Sequence, residues 1–311
     1  MLHVLIFGCL SRRSAKIPLV SHRAPNVVEE VERYLLTGSS DPLCAAWPGN
    51  IMERATRARD DLRGALVRAT RLREVEGKHA MPAKLDALAL TRAKVEPMVR
   101  GLFPRAEHDV VLAMLAKSVV FLTPENIETV LFEECFNHSA WTLANLYLAG
   151  LGAELLSQDA PDIVGLSQDT TCYISPLYFH EEDRFADFIV HEATHVFHNC
   201  KRGTLGLHET RSKVWLLDIE YRKRETFAYS CEAYARITEL GTSSAARQTL
   251  AGEFSRPSVF PMSARTPMRW RASSGRPQRR ATAGRLYSRN VPRPVVGRPF
   301  LRRSDRDEKI A

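Results

Sequence analysis

The chain has 311 residues, 44% apolar and 26% charged, and no apolar run approaches the roughly eighteen residues of a spanning helix, which excludes a multipass membrane protein. The composition can build a core, which excludes a fibrous or wholly disordered chain. The formal net charge of +8 invites a nucleic-acid reading, but residues 256–311 hold 15 bases against 3 acids, whereas residues 1–255 hold 29 bases against 33 acids. The basicity belongs to the tail alone, which argues against nucleic acid as a partner of the rest.

Six scattered cysteines with no C-x-x-C pair read as reduced thiols of a cytoplasmic protein. The N-terminal run ending in Ile6-Phe7-Gly8-Cys9 has the look of a lipoprotein cleavage box but no basic region in front of it. Residues 1–25 are therefore read as a buried first strand or a misplaced start.

From Asn26 to about Gly150 the signals are helical. Ala55, Ala58, Leu62, Ala65, Ala69 and Leu72 recur at alternating spacings of three and four, which predicts a long amphipathic helix with a solvated Arg-rich face, ended by Gly77. Pro82 opens a second helix through Leu85, Leu88 and Val95, and the short connection predicts an antiparallel hairpin. Thr123-Pro124-Glu125 is a helix-start signal, and AWTLANLYLAG supplies a core helix closed by Gly150. The β-branched and aromatic run from Asp169 to Ser175, stopped by Pro176, reads as a strand at a sheet edge. Glu181-Glu182-Asp183 then supplies acids to the first turn of a helix through FADFIVHEATHVFHNC, with Gly203 beyond its end. A further helix runs from about Tyr221 to Leu240 and stops at Gly241.

His191-Glu192-Ala193-Thr194-His195 is the strongest chemical signal. Two His four residues apart on a helix project from one face and can converge on a single metal ion, with Glu192 placed to act on a water there. Shuffling ten His and 23 Glu over the chain yields roughly 0.02 chance H-E-x-x-H matches. The flanks Phe188, Ile189, Val190, Val196 and Phe197 are apolar, so the helix buries its polar trio, which is costly unless a metal satisfies it.

A catalytic zinc takes three protein ligands and leaves a fourth position to water. His198, only three residues after His195, would string the ligands out along one helix axis, and the glycine-turn pattern with a third His is absent. Glu225 and Glu232 on the following helix are the candidates, separated by about 10 Å of rise, so one ion cannot take both. Glu225 is preferred, because it follows His195 by 30 residues and Ala228 allows close helix packing. Glu232 then orients a ligand His, or the two glutamates exchange roles. Glu209, Asp218 and Glu220 are weaker candidates. Tyr229, Tyr234 and His208 are available as oxyanion donors, and Cys200 and Cys231 read as core.

From Asp169 to Leu240 the sequence resembles the gluzincins, zinc metallopeptidases that combine an H-E-x-x-H helix with a glutamate on a following helix. The compact order also resembles small bacterial gluzincin-like domains, some of which regulate rather than digest. The resemblance implies His191, His195 and Glu225 as zinc ligands, Glu192 as general base and proton shuttle, and the strand from Cys172 to Ser175 as the edge that aligns an extended peptide. Thermolysin-like members carry N-E-x-x-S-D where this chain has Arg224-Glu225-Thr-Phe-Ala-Tyr.

The expected fold is α+β and mostly helical: an N-terminal segment 1–25, a helical domain 26–158, a gluzincin-like zinc-binding domain 159–255, and a disordered tail 256–311. The tail's seven prolines and evenly spread Arg match an out-of-frame reading of G+C-rich DNA, and a frame shift is expected near Phe254 to Pro257. The expected function is zinc-dependent hydrolysis of peptide bonds in a peptide or protein substrate; the alternative is a non-hydrolytic regulatory or protein-binding module built on the same zinc site. Patterning does not set the oligomeric state.

Overall fold

The computed structural model describes residues 26–76, 81–82 and 84–255; the N-terminal segment 1–25, Gly77 and the tail 256–311 lie outside them. The described chain is mostly helical: α1 (Val27–Thr37), α2 (Ile51–Arg71), α3 (Ala87–Leu102), α4 (His108–Leu115), β1 (Val119–Phe121), α5 (Ile127–Glu133), α6 (Asn137–Leu151), β2 (Gly165–Gln168), β3 (Thr171–Ile174), α7 (Phe188–Asn199), α8 (Arg224–Leu240) and α9 (Ser244–Phe254), with short 3-10 turns between. No described helix is long and apolar enough to cross a membrane.

Contacts divide the described residues into two units, the first comprising those of 26–82, Phe121–Val164 and Ser175–His180, the second the other described residues. In the first, Asn50 and Glu53 form a capping box at the start of α2, and Ala58, Leu62, Ala65, Leu66 and Ala69 bury its apolar stripe. Arg63 departs from the expected solvated face: it is fully buried and donates to the Glu134 carbonyl at 2.9 Å. The expected start at Thr123-Pro124-Glu125 instead forms a turn, because the Asn126 amide accepts from Thr123 N–H and donates to the Phe121 carbonyl, so α5 begins at Ile127. α6 is the core helix, with Trp141, Leu143, Leu146, Tyr147 and Leu148 all buried.

The second unit holds α3, α4, α7, α8, α9 and the small sheet. α3 starts at Asp86 rather than Pro82, since the Asp86 carboxylate accepts from Ala89 N–H. α2 and α3 thus fall in separate units, and α3 packs against α7 and α8: Phe103 meets Phe197 at 5.1 Å, and Lys94 reaches Asp187 at 3.2 Å.

β2 and β3 form an antiparallel hairpin, Gly165 opposite Ile174 and Gln168 opposite Thr171, turned through Asp169 at φ 49°. The sheet order is β1-β3-β2. The strand read as an edge is therefore central, because Cys172 N–H donates to the Ser118 carbonyl at 2.7 Å and covers its second side. β2 is the edge beside α7.

α7 begins later than its acidic run suggests. Asp187 accepts from Val190 N–H and caps the helix, while Asp183 spends its carboxylate on Phe185 N–H in the preceding turn. It ends at Asn199 with Cys200 as its cap, as expected, and the chain then turns extended and pairs Lys201 with Trp215. α8 starts after a 3-10 turn at Tyr221–Lys223 and stops before Gly241, close to expectation; α9, capped by Ser243, is an addition.

Candidate metal centre

α7 presents Ile189, Val190, Ala193, Val196 and Phe197 to the core, all at 0% exposure, and this fixes the rotation of the helix. The complementary face carries His191 and His195, one turn apart. α8 runs back along that face, and its fully buried Ala228 lets the two helices approach closely.

Glu225 comes down between the two imidazoles. One of its oxygens lies 3.5 Å from His191 Nε2 and the other 3.6 Å from His195 Nε2, and one donor atom from each of the three residues falls within 4.8 Å of the others. Tetrahedral coordination at Zn–N and Zn–O distances of about 2.0–2.1 Å separates ligand atoms by about 3.3 Å, so the spacing suits one small cation. Of the three acidic sites considered weaker, Glu209 accepts from Gly203 N–H and Glu220 pairs with Lys223, and neither they nor Asp218 belong to this cluster.

Glu232 stands behind His191. Its buried carboxylate accepts from Asp187 N–H at 2.6 Å through one oxygen and lies 3.3 Å from His191 Nδ1 through the other. Asp187 in turn caps α7 and pairs with Lys94, which also holds Glu239 at 2.9 Å. A chain of polar contacts from α3 and α8 thereby sets both the start of α7 and the orientation of its first imidazole.

Glu192 points toward β2. Ser167 Oγ lies 2.5 Å from the Glu192 carboxylate and 2.8 Å from its carbonyl oxygen. Gly165 faces the same side chain: a Cβ there would come within 2.6 Å of Glu192 Cγ and 2.8 Å of its Oε1. Only glycine leaves that space open. Sequence reading missed both residues, since Gly-Leu-Ser-Gln has no strand-forming run; its one trace is alternation, which puts Gly165 and Ser167 on a single face.

The electrostatics follow from these contacts. Burial pulls the His191 pKa down, but the hydrogen bonds it donates to Glu225 and Glu232 outweigh it and raise it to about 10. His195 is lowered by burial, with the neighbouring His191 charge adding to it. The hydrogen bond to His191 holds the Glu225 carboxyl below its ordinary value. His198 packs edge-on to His195 at 5.3 Å with a buried, unpartnered Nδ1, and burial together with the Arg224 charge lowers it to about 4.

The proposed oxyanion donors separate. Tyr229 packs edge-on to His191 at 4.7 Å; Tyr234 is half exposed, and His208 is an exposed loop residue. Cys200 and Cys231 are buried, and burial pushes the Cys231 thiol up to about 12, which is the behaviour of core thiols.

No family model, curated protein or solved structure matches the chain. The functional reading therefore rests on the site itself.

Proposed function

We propose that the chain is a zinc-dependent metallopeptidase with a gluzincin-type site, in which His191, His195 and Glu225 hold the metal and Glu192 is the general base. The observation that carries this is the convergence of His191 Nε2, His195 Nε2 and the Glu225 carboxylate at ligand spacing, on the two helices where the motif and its following glutamate stand. Zinc bound there supplies Lewis acidity and an acidified water.

The protein's own groups do the rest. Glu225 would offset one of the ion's two charges, and its carboxylate lies against both imidazoles. Glu232 accepts a hydrogen bond from His191 Nδ1–H, which leaves Nε2 to ligate. Glu192 accepts a proton from the attacking water and passes it to the leaving nitrogen. Ser167 and Gly165 fix the direction in which that carboxylate points. Tyr229, packed on His191, is the candidate donor to the oxyanion that develops on the substrate.

The test is hydrolysis of a proteome-derived peptide library by the zinc-loaded chain and by Glu192→Gln. Cleavage by the wild type, lost in Glu192→Gln while zinc is retained, supports the reading. Bound zinc without cleavage of any member favours a binding module instead.

A further inference from the structure

Charge is distributed unevenly along the face of α7. Beside His191 stand the carboxylates of Glu232 and Glu225. At the other end, toward His198, stands Arg224, in the first turn of α8 and adjacent in sequence to Glu225. Arg224 has no ion pair and no hydrogen bond among the described residues, and its Nε is buried without a partner. Its guanidinium carbon lies over the Tyr221 ring, 5.0 Å from the centroid. Its guanidinium is close enough to His198 for the two charges to interact.

The guanidinium of Arg224 loses hydration at its buried Nε that no described residue returns. Stacking on an aromatic ring holds its plane and leaves the planar donor fork available to a bidentate acceptor. Glu225 is committed to the two imidazoles, and no other carboxylate among the described residues pairs with Arg224, which leaves the fork open to a ligand.

We propose that Arg224 is the substrate-carboxylate anchor of this site: a peptide held at the His191–His195–Glu225 centre sets a carboxylate, from its C-terminus or an Asp or Glu side chain, against the guanidinium on the His198 side. The inference rests on the metallopeptidase reading and names its substrate class, peptides bearing a carboxylate close to the scissile bond. Arg224 acts here as a specificity residue through substrate contact, and it leaves metal binding to the other three.

The shared chemistry is tested first, on the zinc-loaded full chain, by calorimetric titration with 2-benzylsuccinate and 3-phenylpropanoate, which differ by one carboxylate. The dicarboxylate should bind at least about tenfold more tightly to the wild type, lose that preference in Arg224→Gln and recover part of it in Arg224→Lys, at equal zinc content. Equal binding of the two probes, or an unchanged preference in Arg224→Gln, overturns the inference while leaving the metal reading standing. A chain that takes up no zinc overturns both. The second arm uses zinc-loaded Glu192→Gln and one peptide set in four forms: free or amidated C-terminus, and Glu or Gln at internal positions. A preference along the first axis assigns the C-terminal carboxylate and along the second an acidic side chain; preference along neither overturns the inference.

Discussion

Replacing Glu232 separates the two roles open to a buried glutamate beside a histidine. In Glu232→Ala the Asp187 N–H, held at 2.6 Å, and the His191 Nδ1–H, at 3.3 Å, both lose a charged acceptor in a buried setting. Leaving a buried donor unsatisfied costs about 1–3 kcal/mol, and the two donors belong to one network, so the loss of folding free energy should be about 2–5 kcal/mol rather than a strict sum. His191 also loses the partner that fixes its tautomer, which should weaken zinc binding by about 10- to 100-fold. Glu232→Gln keeps an acceptor for Asp187 N–H, so it should recover most of the stability and less of the metal affinity. Urea unfolding of metal-free protein gives the first quantity, and competition with a chromophoric chelator gives the second. A Glu232→Ala chain that loses zinc as completely as Glu225→Ala would refute the reasoning, because it would make Glu232 a ligand. So would an unchanged zinc affinity.

Four further outcomes follow. Gly165→Ala places a Cβ 2.6 Å from Glu192 Cγ, so steady-state peptide hydrolysis should fall at least about tenfold while zinc content stays at the wild-type level; retained activity would mean that Glu192 needs no such space. The His191 pKa, raised to about 10 chiefly by Glu225 and Glu232 against the pull of burial, keeps the metal-free site protonated at neutral pH. Zinc uptake should therefore release a proton, and affinity measured by chelator competition should rise by about tenfold per unit between roughly pH 7 and 9. The same raised value stabilises the metal-free fold below the ordinary histidine pKa, and that contribution should be lost as pH climbs toward 10. Finally, burial pushes the Cys172 and Cys231 thiols up to about 12 whereas Cys135 is exposed, so iodoacetamide mapping near pH 8 should label Cys135 at least about tenfold faster than either.

The parts of the site that came through in sequence are those set by helical period. The four-residue spacing of His191 and His195 needs no tertiary information, and the 30 residues to Glu225 are enough for α7 to end and α8 to return. The sheet was less legible. Its strands are three or four residues long, and β2 is Gly-Leu-Ser-Gln, composed by its approach to Glu192 rather than by strand propensity. The central place of β3 depends on a bond to Ser118, more than fifty residues earlier, which local patterning cannot encode. Helix starts shifted for a related reason: Asp187 and Asn126 capture nearby backbone groups, and a local hydrogen bond outweighs the acid or proline that looked like the start. Arg63 was read as solvated because its spacing says nothing about the Glu134 carbonyl 71 residues on.

The central claim is that one zinc ion sits between His191, His195 and Glu225, and metal analysis of chelator-stripped, zinc-reconstituted and desalted protein tests it most directly. The account predicts about one zinc per wild-type chain, near-complete loss in Glu225→Ala, and retention in Glu192→Gln. Wild-type protein that emerges free of zinc, or Glu225→Ala that keeps a full complement, would contradict it.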